Sequence, residues 1–282
     1  MKNKAIVISY YGFPSSKKDI PDYLRHILHG ADPPPSLIKE NLRKLEVIGG
    51  ESPSTSIVES IKRKLQKRLE DLNINVYVLS KHGRPNLSEA SRIIKERTIY
   101  EVPLFPVYSK QIFDSYFVPF EENMRDRKNI RIINLGFDQH IISHFSRYID
   151  RNDRYFLVFS AHSIPLKGYD PYPLGVRRLS DMISGMRRYT IVYHSQGHFP
   201  SRWLGPIPEY ALDLAEKLGY SGIKVIPVGF LYDHVEVLYD LDYDFKNFIT
   251  SRGVSYERVP LPNDSDCIID AILERVAEKE PQ

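Results

Sequence analysis

Eight short runs rich in apolar and β-branched residues punctuate the chain: Lys4 to Tyr11, Asn75 to Lys81, Ile99 to Val107, Ile130 to Phe137, Arg154 to Ser160, Tyr189 to Ser195, Gly222 to Phe230 and Val254 to Pro260. Runs of this length read as strands. Between several of them, over Ile57 to Leu72, Ser88 to Arg97, Ile207 to Leu218 and Val235 to Ile249, the apolar positions follow the helical period. Strand-then-helix alternation predicts an α/β fold of parallel sheets joined by right-handed crossovers. The strands divide into two sets of four with the change near Gly136, which predicts two Rossmann-like lobes, each a parallel four-stranded sheet flanked by helices. Residues 1–135 form the first lobe and 136–263 the second. The segment 264–282 carries a helical pattern over Asp266 to Glu278, with Ile268, Ile269, Ile272, Leu273 and Val276 able to pack back on either half.

Glycine and proline mark turns at Pro33-Pro34-Pro35, Gly49 to Pro53, Gly168 to Pro173 and Trp203 to Pro206. No linker is long enough to separate the lobes, so they are expected to face each other across a cleft rimmed by βα loops. Tyr155 to Phe159 is almost wholly apolar, the pattern of a strand buried on both faces, and it runs into Ser160-Ala161-His162. The carboxyl end of such a strand is where ligands meet an open α/β sheet, and His162 stands there. Downstream, Asp233 to Asp244 is rich in acid; in a helix, Glu236, Asp240 and Asp244 fall four residues apart along one face.

The 282 residues are 42% hydrophobic and 27% charged, as in an ordinary globular protein. The net charge of +3 is spread along the chain, which gives no basis for nucleic-acid binding and suits an anionic small molecule. Cys267 is the sole cysteine, so an internal disulfide is impossible and a cysteine-held metal centre is unsupported. The apolar run Ala5 to Ile8 is too short for a signal peptide or a membrane span, and a cytoplasmic location is expected. Gly49-Gly50 lacks the Gly-Lys-Ser/Thr that would complete a phosphate loop. The pairs His140/His144 and His194/His198 have metal-ligand spacing but are read as surface or hydrogen-bonding residues, and His82 as a structural residue near the cleft rim.

The motifs Tyr11-Gly12-Phe13-Pro14, Ile48 to Pro53, Ser80-Lys81-His82, Ser160 to Pro165, Trp203-Leu204-Gly205-Pro206 and Pro227 to Asp240 together resemble the ferrochelatases, enzymes that insert ferrous iron into a porphyrin. They run in family order over most of the chain. The resemblance implies a chelatase-type fold with the porphyrin between the lobes and the C-terminal helix returning to the first. It implies that His162 and Glu236 are catalytic and hold the metal, with Asp240 and Asp244 continuing an acidic ladder that passes ions inward. Tyr11 matches a position beside the metal, and Ser52 and Tyr116 match porphyrin-contacting positions. The porphyrin, protoporphyrin IX or coproporphyrin III, and ferrous iron are then the partners, the iron as substrate, with no tightly bound cofactor and no iron–sulfur cluster. A monomer is expected, and loose membrane contact is left open. The chain has Leu28-His29-Gly30 where soluble bacterial members commonly carry arginines before the glycine, and Asp244 where glutamate is common.

Metalation requires stripping water from a ferrous ion, exposing the pyrrole nitrogens and removing both pyrrole protons. An imidazole accepts a proton near neutral pH or ligates iron, and burial is expected to keep His162 uncharged and available. Clustered carboxylates repel one another, and a cation relieves that repulsion. Tyr11, Tyr116 and Trp203 are candidates to grip the ring faces. Blander readings stand beside these: Tyr11 as packing, Ser52 as a helix cap, Trp203 as a plug beside its Gly-Pro turn, Asp240 and Asp244 as a solvated face. Two other functions compete: a chelatase for another tetrapyrrole such as sirohydrochlorin, and a porphyrin or haem carrier without turnover.

Overall fold

Runs of buried apolar residues pair into strands β1 (Lys4–Tyr10), β2 (Ile74–Ser80), β3 (Thr98–Pro103), β4 (Asn129–Ile132), β5 (Tyr155–His162), β6 (Tyr189–His194), β7 (Gly222–Ile226) and β8 (Ser255–Arg258). The computed structural model describes residues 3–124, 129–150, 152, 154–197 and 202–279. The strands form two all-parallel sheets of order β2-β1-β3-β4 and β6-β5-β7-β8, one per lobe. In both sheets the first strand of the lobe, β1 or β5, occupies the second place, and both are buried almost throughout. Such strands have no solvent face, which explains their unbroken apolar character.

The helices are α1 (Ile20–Ile27), α2 (Pro35–Val47), α3 (Ser54–Arg68), α4 (Ala90–Ile93), α5 (Lys110–Asn123), α6 (Gln139–Ser146), α7 (Tyr172–Ile183) and α8 (Tyr210–Lys217). A nine-residue π-helix, Val237–Phe245, runs directly into α9 (Lys246–Thr250), and α10 (Asp266–Glu278) closes the fold. Proline accounts for several boundaries. β3 stops at Pro103 and β7 just before Pro227, short of the expected Val107 and Phe230, because proline offers no N–H to a ladder. Pro35, in a stretch expected to be loop, instead opens α2, where its missing N–H costs nothing. The expected helix from Ser88 shrinks to a 3₁₀ turn and the four residues of α4.

One continuous apolar cluster includes Ile6 and Ile8 of β1 and Leu157 and Val158 of β5, so the two lobes share a core. Polar contacts sew the seam: Ser109 Oγ donates to Asp170 (2.8 Å) and Gln111 Nε2 to the Pro165 carbonyl (2.9 Å). The C-terminal helix does not return to the first lobe alone. Arg68 of α3 pairs with Asp270 (3.1 Å), whereas Arg275 reaches Asp138 (3.0 Å) and Glu274 reaches His140 (3.0 Å) at the start of α6. α10 is thus a strap over both halves.

Glu101 stands out within β3. It is fully buried, its carboxylate oxygens have no hydrogen-bond partner among the described residues, and burial raises its pKa well above the ordinary 4.5. Ser9 lies beside it and softens that penalty without a bond of normal geometry. A carboxyl whose folded pKa is raised stabilises fully below its unfolded pKa and loses that contribution as pH climbs toward the folded value. Glu101→Gln is therefore expected to be more thermostable than the native chain by a margin that widens from pH 4.5 upward, at about 1.4 kcal/mol per pH unit. Melting curves from pH 4 to 8 measure it; parallel profiles for the two proteins contradict it.

Candidate active site

β5 runs two residues beyond the expected end, so His162 is its last residue and lies in register with His194 of β6. Ser163 locks the exit of the strand: its N–H donates to the His194 carbonyl (2.8 Å) and its hydroxyl to the Leu204 carbonyl (2.7 Å). The Trp203 motif forms a short antiparallel bridge with Pro165, while the Trp203 ring fills the space beside Gly197, where a Cβ would come within 2.7 Å of it. Trp203 thereby steadies the loop that follows His162.

The imidazole is oriented from behind. Nδ1 of His162 donates to the Ser163 carbonyl (2.5 Å), which leaves Nε2 facing Glu236, 3.5 Å from Oε2. Gly229 makes this meeting possible. A Cβ there would lie 2.8 Å from the Ala161 Cα, so only glycine lets the loop after β7 cross the end of β5 and deliver Glu236. Arg258 of β8 then clamps the acidic segment, contacting Asp233 (3.2 Å) and both oxygens of Asp242 (2.5 and 2.8 Å).

Glu236 caps the π-helix at its N-terminal end. In a π-helix the bonds run i→i+5, so a four-residue step falls short of a full turn, whereas in an α-helix it overshoots. Val237, Leu241 and Phe245 take the buried face; Glu236 and Asp240 are partly buried and Asp244 is exposed. Asp240 is the second carboxylate of the site. It accepts a short hydrogen bond from Ser195, whose Oγ is 2.9 Å from His194 Nδ1, and it lies 3.6 Å from that same nitrogen. His194 is therefore no surface residue, and His198 falls outside the described residues. A third imidazole, His234, is buried and stacked on Phe13 at 4.3 Å. Among the described residues neither His194 Nε2 nor His234 Nδ1 has a hydrogen-bond partner.

The electrostatics correct one expectation. Burial is the largest single influence on His162 and opposes its charged form, but the Glu236 charge and hydrogen bond, the Ser163 carbonyl and the Asp240 charge together outweigh it and raise the imidazole pKa above 6.5. Burial likewise opposes ionised Glu236, yet His162 above all, with His234 and His194, holds its carboxyl down at about 2. Each group therefore favours the charged form of the other. His234 goes the other way: burial dominates, pushing it down to about 3 and keeping it neutral.

The first lobe supplies the aromatic side. Tyr11 follows β1 directly, with its ring 4.6 Å from Phe13 and 4.7 Å from His82; burial, then the Glu236 charge, raises its hydroxyl pKa. Tyr116 on α5 is buried, and Lys81 Nζ lies between the two rings, 5.7 Å from Tyr11 and 5.4 Å from Tyr116. Burial lowers Lys81 to about 8 while its ammonium donates to Ser115 (2.9 Å). Ser52 is buried against the Ser54 hydroxyl (3.1 Å); it does not cap α3, whose N-cap is Pro53 with no side-chain bond. His140 and His144 point to separate partners, Glu274 and the Pro260 carbonyl, and do not share a ligand position.

His194, His234 and Lys81 are the residues that sequence reasoning passed over. His234 and Lys81 lie inside motifs already singled out, and His194 ends a strand beside β5, so adjacency in the sheet was the available signal. No helix of the described residues is long and apolar enough to cross a membrane.

A family model described as Ferrochelatase matches residues 3–280. The chain is 36% identical to a ferrochelatase of Thermoplasma acidophilum over 98% of this chain and 91% of that one. It is 31% identical to a coproporphyrin III ferrochelatase of Halalkalibacterium halodurans over 99% of both. Among solved structures, SirB from Bacillus subtilis with Fe3+ superposes with a TM-score of 0.60 at 13% identity, covering 99% of this chain and 95% of that one, which shows a shared fold. With a match that spans both lobes and relatives that align from end to end, the chain belongs to the ferrochelatase family.

Proposed function

We propose that this protein is a lyase that inserts ferrous iron into a porphyrin, protoporphyrin IX or coproporphyrin III, with release of two protons, in haem synthesis. The observation that carries the reading is the His162–Glu236 pair, backed by Asp240, His194 and His234 and faced by Tyr11. The His162–Glu236 pair and the His194–Asp240 pair stand side by side at the ends of β5 and β6. Such a set suits a borderline divalent ion far better than an apolar ligand.

The His162–Glu236 pair gives the chemistry an order. Nε2 of His162 cannot hold a proton and a metal at once, so coordination and proton acceptance use the same lone pair in sequence. An incoming cation stabilises ionised Glu236 and displaces the imidazole proton to water; transfer of the metal to the macrocycle then frees Nε2 to accept a pyrrole proton. Glu236, whose carboxyl is held low beside the protonated imidazole, does not keep the second proton but passes it on to water. Asp240 holds the ion behind this pair, and exposed Asp244 is the outermost acid of the same helix. Tyr11 and Tyr116 offer ring faces with the Lys81 ammonium between them, a surface suited to a flat anionic macrocycle. A carrier without turnover has no use for an acid array facing a histidine, and likeness to SirB extends only to the fold.

In an anaerobic assay with ferrous iron and each porphyrin, His162→Ala is expected to lose insertion by about 100-fold or more while retaining porphyrin binding, read by absorbance and fluorescence quenching. Full activity in that variant refutes the assignment. The His162–Glu236 pair makes a separate prediction for the metal-free protein. By NMR the His162 imidazole titrates above 6.5, and in Glu236→Gln, where only the Ser163 carbonyl and the Asp240 charge still oppose burial, its midpoint falls. An unchanged midpoint rules out the pair.

A further inference from the structure

The acid array has a cation of its own. Lys44 lies in the last turn of α2, the helix that packs on the π-helix, and its ammonium is 3.3 Å from Glu40 one turn back and 5.4 Å from the centre of the Tyr239 ring. Its side chain is only 27% exposed, so water and salt screen its charge weakly. Burial opposes the ammonium, but Asp240 first, then Glu40 and Glu236, outweigh it and raise the lysine pKa. Lys44 thus carries its charge at neutral pH, and the largest single attraction on it comes from the other lobe.

A fixed charge at the flank of a metal site acts on the ion as well as on the acids. In the metal-free protein Lys44 offsets the mutual repulsion of Glu236 and Asp240, the part a divalent ion otherwise takes. Once an ion arrives, the ammonium repels it. Among the described residues the direct ion pair of Lys44 is with Glu40, so the lysine opposes an ion without occupying the oxygens of Glu236 or Asp240. Carboxylates and imidazoles with no such opposition bind a transition ion tightly and release it slowly. For a site that must hand its ion to a macrocycle, an over-stable bound ion only adds to the barrier.

We propose that Lys44 is a built-in counter-charge that keeps the hold of His162, Glu236 and Asp240 on a divalent transition ion weak enough for transfer, an inference that rests on the metal-inserting reading. The probe is Co²⁺, titrated into the full chain without porphyrin and followed by its visible absorption, with the His162→Ala protein marking which signal belongs to the site. Lys44→Met keeps the apolar stem and removes the charge. It is expected to bind Co²⁺ about tenfold more tightly, whereas Lys44→Arg binds it as the native chain does. In the iron-insertion assay Lys44→Met is expected to lower KM for the ion and kcat together. A damaged fold weakens binding, so the sign of the change separates charge from structure. Unchanged or weaker Co²⁺ binding in Lys44→Met, or equal tightening in Lys44→Arg, overturns the proposal. Failure of the native chain to insert iron defeats the metal-inserting reading instead, and the Co²⁺ comparison, made without porphyrin, tells the two apart.

Discussion

A carboxylate withdrawn from water needs a positive partner, and the pairing of Glu236 with His162 meets that need at the seam of the molecule. Neither group would hold its charge alone: burial pushes each toward neutrality, and each reverses the shift of the other. Much of the second lobe serves this contact. β5 carries the imidazole to the sheet edge, Ser163 fixes its tautomer, Gly229 clears the path for the acidic segment, and Arg258 pins that segment at two points. On the proposed reading, a cation arriving between the two groups would replace a proton and meet a carboxylate that the imidazole keeps ionised.

The π-helix decides how far the acid array reaches. Its wide turn places Glu236 and Asp240, both partly buried, toward the imidazoles and leaves Asp244 in solvent. The Tyr256 hydroxyl donates to the Leu241 carbonyl (2.7 Å), and Arg258 holds Asp242, supporting a helix type that is rarely stable over nine residues. The first lobe adds the opposite wall. α2 brings Lys44 over the Tyr239 ring at 5.4 Å, and Tyr232 accepts a long contact from the Tyr11 N–H at 3.4 Å.

Where the reading of the sequence went astray, a local rule met a tertiary one. The apolar run after Pro103 looked like strand because burial, not pairing, keeps Leu104 and Val107 apolar. His162 was expected to be neutral because desolvation is visible in an apolar strand, while a charge arriving from a segment about seventy residues away is not. Ser52 looked like a cap because it precedes a helix, but the chain turns one residue later, at Pro53. His194 looked like half of a loop pair, and only the Ser195 link to Asp240 shows what it faces.

Period and punctuation along the chain determined the two parallel sheets and the histidine at a strand's carboxyl end, because burial on both faces leaves a continuous apolar signature. The motif order determined which acids accompany that histidine. Tertiary structure alone decided that α10 straps both lobes, that the acidic helix is of the π type, and that Glu236 faces His162 and shifts it toward the charged form. Those outcomes depend on distances between residues remote in the chain, and Coulomb and desolvation energies are functions of such distances, which no local pattern encodes.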